Sequence, residues 1–293
     1  MNAVKEKAYA KINLFLDVIG KRDDGFHDIK TVMHTVSLCD EITVISSYSD
    51  KTSVRMTVEG NKYLPSDSRN LAYRAAVLYL ERAGVNAKVE IKLKKKIPMS
   101  AGLAGGSADA AAVLRALNRI NQKKLTEKVL VDIAGELGSD VPFCLIGKTA
   151  LCEGRGEKIE RLPHISIGYA VIAVADERVS TPKAYSELDK MFSDFDGTKS
   201  TGGDEKYEKI ISSLRHSALD ETSLFNVFET SVLPVCQGAD SLKRELLELG
   251  AEASLMSGSG PSVFGIFKSL ELAEIAKIKL EEKGVKTFVA TSV

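Results

Sequence analysis

The chain has 293 residues, enough for two domains of ordinary size, each with its own core. Its 40 acidic and 40 basic residues cancel, so no global field favours nucleic acid or a membrane surface, and any anion site must be local. The four cysteines (Cys39, Cys144, Cys152 and Cys236) form no Cys-x-x-Cys pair, which sets aside a disulfide framework or a zinc site and predicts buried, reduced thiols.

In chain order, residues 1–7 lack the apolar core and cleavage site of a signal peptide, and no run of about 18 apolar residues follows anywhere. The chain therefore reads as a cytoplasmic protein with no membrane span. Residues 8–20 alternate as a strand, with Lys11, Asn13 and Asp17 on one face and Ile12, Leu14 and Leu16 on the other. A polar turn over 21–25 is followed by Phe26 and His27. Segments 30–38, 41–46 and 52–58, rich in Val, Thr and Ile, predict antiparallel hairpins rather than βαβ units. Ser68 or Asn70 opens a helix over 71–80, and Gly84 suits its C-terminal cap. Residues 88–93 alternate cleanly and lead into a glycine-rich stretch.

That stretch, Ile97 to Leu114, carries Gly102, Gly105 and Gly106 ahead of a run of strong helix formers. The glycines permit positive φ and close approach of a ligand. Ser107 is expected to cap a helix beginning near Ala108, with Asp109 in its first turn and Lys94, Lys95 and Lys96 adding positive charge at the mouth. Bare N–H groups aimed along a helix dipole make a cradle for phosphate. No Gly-Lys-Ser/Thr follows, so this is not a Walker A loop, and Gly-x-x-Gly-Gly is not the dinucleotide spacing. A flexible turn before a surface helix is the structural alternative.

Farther on, a helix over 126–137 stops at Gly138, and Ser139–Phe143 places Asp140 in a turn between apolar elements. The composition changes near Pro163, and the apolar run 168–175 reads as a buried strand opening a second unit. The domains are accordingly 1–163 and 164–293. Residues 194–207 are polar and glycine-rich and predict a mobile loop. Helices up to Gly250 are followed by strands at 253–256, 262–267 and 287–290, with a helix over 272–282.

Two charged residues sit awkwardly for a purely structural role. Lys11 interrupts an apolar strand, and Asp140 follows a helix end and precedes a proline. Each has a structural reading, a snorkelling edge-strand lysine and a turn or cap. Beside a phosphate loop they become a phosphoryl-transfer pair, one accepting a hydroxyl proton and one steadying negative charge. Ser257, Gly258, Ser259 and Gly260 form a second small-residue loop, which a tight hairpin would also explain. His27, Phe26 and Tyr185 each have only a weak individual claim.

Taken together, Pro98–Ala112 resembles the ATP loop of the GHMP kinase superfamily, and Met256–Phe264 resembles its C-terminal glycine loop. Ala10–Leu16, Gly20–His27 and Leu137–Phe143 are similar to a narrower branch that phosphorylates a cytidine-diphosphate-linked methylerythritol for non-mevalonate isoprenoid synthesis. The resemblance implies a two-domain α+β fold, with an N-terminal domain like ribosomal protein S5 domain 2 and a ferredoxin-like C-terminal domain. It implies ATP as cofactor, held by Pro98, Met99, Ser100, Ala101, Gly102, Leu103, Ala104, Gly105, Gly106, Ser107 and Ala108, with Mg²⁺ bridging its phosphates. Ser107 is the one side chain placed to reach that metal. Lys11 and Asp140 match the catalytic pair, and Asn13, Phe26, His27, Thr181 and Tyr185 match substrate positions, with Phe26 stacking on cytosine and Tyr185 opposite. A small-molecule substrate is expected, with no nucleic acid, membrane or obligate protein partner. Tyr9 stands where proline is common, and Ala104 and Ala108 replace commoner Gly and Ser, which leaves Ser107 in place. Homoserine or mevalonate kinases are the nearest alternative, which Phe26–His27 speaks against. A silent nucleotide-binding protein is another, and it would need neither Lys11 nor Asp140.

Overall fold

The computed structural model describes residues 2–192 and 201–293, so the core of the expected mobile loop, 193–200, lies outside the described residues. The chain forms two compact units that are not continuous in sequence. Strands β1 (Asn2–Lys21) and β2 (His27–Tyr48) contribute residues to both. What the sequence suggested as separate strands at 30–38 and 41–46 is one long strand.

The first unit comprises residues 1–10, 39–99 and 104–147. Here β3 (Ser53–Glu59) is followed by helix α1 (Leu71–Ala83) and strand β4 (Ala87–Lys94). β4 pairs antiparallel with β2, Glu41 opposite Lys94 through Tyr48 opposite Ala87. It pairs with β3 in parallel, Ser53 opposite Lys88 through Glu59 opposite Lys94. The expectation of hairpins alone is therefore corrected, since β3–α1–β4 is a βαβ crossover. A parallel neighbour needs a long connection, and the 71–83 helix supplies it.

α1 begins where Asn70 Oδ1 accepts the Ala72 N–H at 2.9 Å, and it ends at Gly84 in the left-handed region, φ 58°. α2 (Gly105–Ile120), α3 (Glu127–Leu137) and α4 (Val141–Ile146) complete the unit. Thr126 caps α3, and Gly138 ends it as the sequence predicts. The core joins Ala72, Ala75 and Ala76 of α1 with Ala108, Ala111 and Ala112 of α2 over Val44, Val89 and Ile91 of the sheet. Alanine on both helices permits close approach. Leu114 and Leu117, fully buried, add about 1.5–3 kcal/mol each.

The second unit comprises residues 11–38, 100–103 and 148–293. β5 (Thr149–Gly154) pairs antiparallel with β2, and β6 (Lys158–Arg161) pairs with β5. After β7 (Tyr169–Val174) come α5 (Thr181–Met191) and α6 (Asp204–Arg215). Residues 204–207, read from sequence as loop, are thus the first turn of a helix. β8 (Phe225–Asn226) runs parallel to β1, and α7 (Phe228–Val232) and α8 (Gln237–Glu248) follow. β9 (Ala253–Met256), β10 (Ser262–Phe267), α9 (Leu270–Glu282) and β11 (Lys286–Thr291) close the chain. Their sheet has the order β11-β7-β10-β9, each neighbour antiparallel. Numbered within the sheet this is 4-1-3-2, the ferredoxin-like order the resemblance implies. Leu242 and Leu246 of α8 and Ala273, Ala276 and Leu280 of α9 are buried in its core. None of the four cysteines is in a disulfide, but only Cys152 and Cys236 are buried, Cys39 and Cys144 being half-exposed.

Candidate active site

In the first unit β4 ends at Lys94, and the lead-in to the glycine stretch is held from two sides. Lys95 N–H donates to the Glu59 carbonyl at 2.9 Å. The Lys96 and Ile97 N–H groups both donate to Asp40 Oδ1, at 2.5 and 2.8 Å. α2 starts at Gly105, three residues earlier than Ser107 would cap it, and no side chain caps it. Ser107 is therefore inside the first turn, and Asp109 lies beyond it. Positive φ falls on Ser100 (51°), Gly102 (72°) and Ala104 (54°), whereas Gly105 and Gly106 are helical. The turn is made by residues before the helix, so the paired glycines leave α2's uncapped N–H groups bare. A Cβ on the exposed Gly106 would meet nothing nearer than Leu71, at 3.8 Å. An uncapped, open helix start of this kind suits an anionic group of the size of a phosphate.

Two of the three lysines ahead of the loop, Lys95 and Lys96, do not supply the free positive charge expected of them. Lys95 is buried between Asp40 and Asp109, and Lys96 pairs with Glu41 at 2.8 Å. Asp140 is half-buried at the N-cap position of α4, yet its carboxylate caps no N–H of that helix. Its side chain is thus no cap, and of the structural alternatives raised from sequence the turn remains, Val141 N–H donating to the Gly138 carbonyl at 3.1 Å.

In the second unit Lys11 is 4 % exposed, so it does not snorkel into water, and β8 joins β1 only farther on, at Phe15 and Leu16. Its N–H donates to the Leu103 carbonyl at 3.2 Å, and its ammonium donates to Asn13 Oδ1 at 2.6 Å. Asn13 in turn donates to Thr31 Oγ1 at 2.8 Å, and Thr31 to the Phe15 carbonyl at 2.6 Å. The Ser257–Gly260 loop closes the β9–β10 hairpin and also packs on Gly102: Ser257 Oγ donates to the Gly102 carbonyl at 3.0 Å. A Cβ on Gly102 would stand 2.0 Å from the Ser257 carbonyl oxygen, and one on Gly258 3.5 Å from the Lys11 ammonium. Close approach requires glycine at 102, and a φ of 58° favours it at 258. Asn226 fixes the second loop from beneath, donating to the carbonyls of Met256 and Gly258 at 2.7 and 2.8 Å. Lys11, Asn13, Gly102 and the Ser257–Gly260 loop are thus brought together.

A second group in this unit surrounds His27. Its Nε2 lies 2.6 Å from Asp189 Oδ1, and Lys21 donates to Asp189 Oδ2 at 2.6 Å. Burial raises the Asp189 carboxyl, but the bonds from Lys21 and His27 outweigh it and hold it below the usual carboxylate range. A carboxylate can only accept, so Nε2 is the donor in this pair. The Tyr185 ring stacks on His27 at 4.6 Å and meets Phe228 edge-on at 4.8 Å. The resemblance set Tyr185 opposite Phe26; here it lies against His27. Phe26 is 51 % exposed, with the Arg155 guanidinium 4.1 Å from its ring centre. Thr181 bonds Ser259 at 2.7 Å, which ties the start of α5 to the second loop.

Sequence reasoning missed Asp189, Asn226, Thr31 and the Asp40–Asp109 pair. Asp189 had a readable signal, since it lies one helical turn beyond Tyr185. Asn226 had none. Among the described residues no group of three His, Cys, Asp or Glu side chains is placed to hold a metal ion, and no helix is long and apolar enough to cross a membrane.

Family models place the chain among the small-molecule kinases of the GHMP class. The models for the GHMP kinase N-terminal and C-terminal domains match residues 70–148 and 210–286. A 4-diphosphocytidyl-2-C-methyl-D-erythritol kinase of Acetivibrio thermocellus is 40% identical over 296 residues, covering 100% of both chains. A crystal structure of 4-(cytidine 5'-diphospho)-2C-methyl-D-erythritol kinase superposes with a TM-score of 0.79 at 31% identity, covering 98% of each chain. Homoserine kinase from Cytophaga hutchinsonii, at 24% identity and a TM-score of 0.76 over 100% of this chain and 95% of that one, shares the fold. The chain belongs to the 4-diphosphocytidyl-2-C-methyl-D-erythritol kinase family.

Proposed function

We propose that this chain transfers the γ-phosphoryl group of ATP to the 2-hydroxyl of 4-diphosphocytidyl-2-C-methyl-D-erythritol, giving the 2-phosphate and ADP in non-mevalonate isoprenoid precursor synthesis. The bond from the substrate oxygen to the γ-phosphorus forms as the β–γ bridging bond breaks. The hydroxyl proton passes to Asp140, and the electron pair leaves on ADP. The observation that carries the reading is Lys11, a cation held 4 % exposed on β1 beside two glycine loops. Keeping an ammonium out of water is costly, and a silent binding protein has no use for it. Here it steadies the charge that spreads over the transferring phosphoryl group.

The start of α2, Gly105 to Ala108, and the bend from Pro98 to Ala104 receive the ATP phosphates. Mg²⁺ bound to those phosphates would neutralise part of their charge, with the Ser107 hydroxyl as the protein side chain to approach it. Asn13 orients the hydroxyl, Phe26 stacks on the cytosine, and His27, with Thr181 and Tyr185 behind it, reads the ring edge. The change of composition near Pro163 supports a division of the chain into domains 1–163 and 164–293, which the two compact units do not follow.

A coupled ADP-release assay with 4-diphosphocytidyl-2-C-methyl-D-erythritol, homoserine and mevalonate tests the proposal. Turnover confined to the cytidylyl acceptor is expected. Turnover of either other alcohol at a comparable kcat/KM would overturn the assignment, and no ADP release with any acceptor would leave the fold a binding module.

A further inference from the structure

Asp40, Lys95 and Asp109 come from three places in the first unit: the middle of β2, the residue after β4, and the second turn of α2. The Lys95 ammonium bonds to Asp40 Oδ2 and, at 2.8 Å, to Asp109 Oδ2. Side-chain exposures are 4 %, 0 % and 1 %. Asp40 uses its other oxygen on the N–H groups of Lys96 and Ile97, immediately before the loop. One carboxylate thus holds the entrance of the loop, the other stands on the helix at its exit, and one ammonium joins them. Gly105 belongs to the same arrangement: a Cβ there would lie 2.9 Å from the Lys95 Nζ and 2.9 Å from Ile97 Cγ2.

A buried ionic cluster is weak support for stability, because apolar side chains of equal volume commonly serve as well. Its cost points to a positional role. We propose that Asp40, Lys95 and Asp109 form a buried positioning triad that clips the two ends of the phosphate loop together, with Gly105 kept bare so that the Lys95 ammonium can lie against the first residue of α2. The inference rests on the reading of this loop as the ATP site. It deepens that reading, since Lys95 becomes a strut instead of free charge at the mouth, and the missing Cβ of Gly105 makes room for it while its N–H stays with the phosphate site.

Clipping the ends prepays the ordering of residues 98–104, so its loss falls on nucleotide binding. Bound ATP can itself reorder the loop, which spares the chemical step. Binding of a non-hydrolysable ATP analogue, by calorimetry, and steady-state kinetics on the full chain test this. Asp109→Ala should weaken the analogue at least tenfold and raise KM for ATP to match, with kcat within about threefold and KM for the acceptor unmoved. Asp109→Asn, which keeps an acceptor for Lys95, should recover part of the loss. Gly105→Ala should weaken the analogue in the same way, although alanine ordinarily favours a helix. It carries the test alone should Asp109→Ala not fold.

Wild-type affinity in folded Asp109→Ala and Gly105→Ala would overturn the triad. Gly106→Val separates the two levels, because its side chain enters open space where the phosphates are placed. Loss of binding there with normal Asp109→Ala and Gly105→Ala removes the triad alone. Normal binding in Gly106→Val removes the loop reading and the triad with it.

Discussion

Lys11 and Lys95 are both lysines held out of water, and their surroundings ask different things of them. Lys95 faces two carboxyl groups, one more negative charge than it can balance if both ionise. Burial and the neighbouring Asp40 push the Asp109 carboxyl up to about 8, against the pull of Lys95. A carboxyl raised in the fold binds a proton that the unfolded chain has released. Its contribution is therefore present at acid pH and is lost as pH rises from the ordinary carboxylate range through about 8. Relative to Asp109→Asn, the natural chain should lose stability over that interval by roughly 1 kcal/mol per pH unit, then run parallel above it. Chemical denaturation at several pH values measures this, and a constant difference between the two chains would show that Asp109 carries no such proton. Lys11 lies beside Asn13 and the second glycine loop and is the lysine proposed for the chemistry. Its proposed companion is tested by Asp140→Asn, for which kcat should fall roughly 10²–10⁴-fold with substrate binding largely kept. A loss below about tenfold would demote Asp140 to a structural residue. At Phe26, half exposed and so dispensable to the core, alanine should raise KM for the cytidylyl acceptor roughly 5- to 150-fold and leave KM for ATP alone. Were both to rise together, the stacking role would be wrong.

Among the elements, α1 shows how far a local signal reaches. Asn70 accepts the Ala72 N–H and also donates to the Pro65 carbonyl at 2.8 Å, so one side chain starts the helix and anchors the loop before it. Asn70→Ala should cost about 1 kcal/mol, seen as a lower denaturation midpoint at unchanged slope. α2 shows the opposite. Ser107 has the composition of a cap, but the left-handed turn at Ala104 starts the helix first, and the hydroxyl ends up inside the first turn. Propensity alone does not reveal which of several small residues will take a positive φ. β3 is a third case, because its Val and Thr content marks a strand without fixing the sense in which that strand pairs.

For the whole molecule, nucleotide binding should appear as stability, since a ligand that binds only the folded chain adds RT ln(1 + [L]/Kd). ATP at about 100 times its Kd contributes roughly 2.7 kcal/mol, about 4–5 °C in the melting midpoint of a chain of this length. Thermal melts with and without ATP measure it, and Gly106→Val should lose the shift at the same nucleotide concentration. An unshifted natural chain would remove the nucleotide site altogether. Much of the fold was legible beforehand: the caps of α1 and α3, the alternation of β4, the apolar run of β7 and the order of the last four elements all rest on neighbours within a turn or two of chain. Both glycine loops were legible too, because glycine is needed where backbones approach closely, whatever surrounds them. The parallel sense of β3, the triad under α2 and the bond from His27 to Asp189 were not. Asp40 and Lys95 are 55 positions apart, and His27 and Asp189 are 162 apart. Which charges are spent on one another and which remain for a ligand depends on distance in space, and for residues so far apart in sequence that distance is set only once the strands have paired.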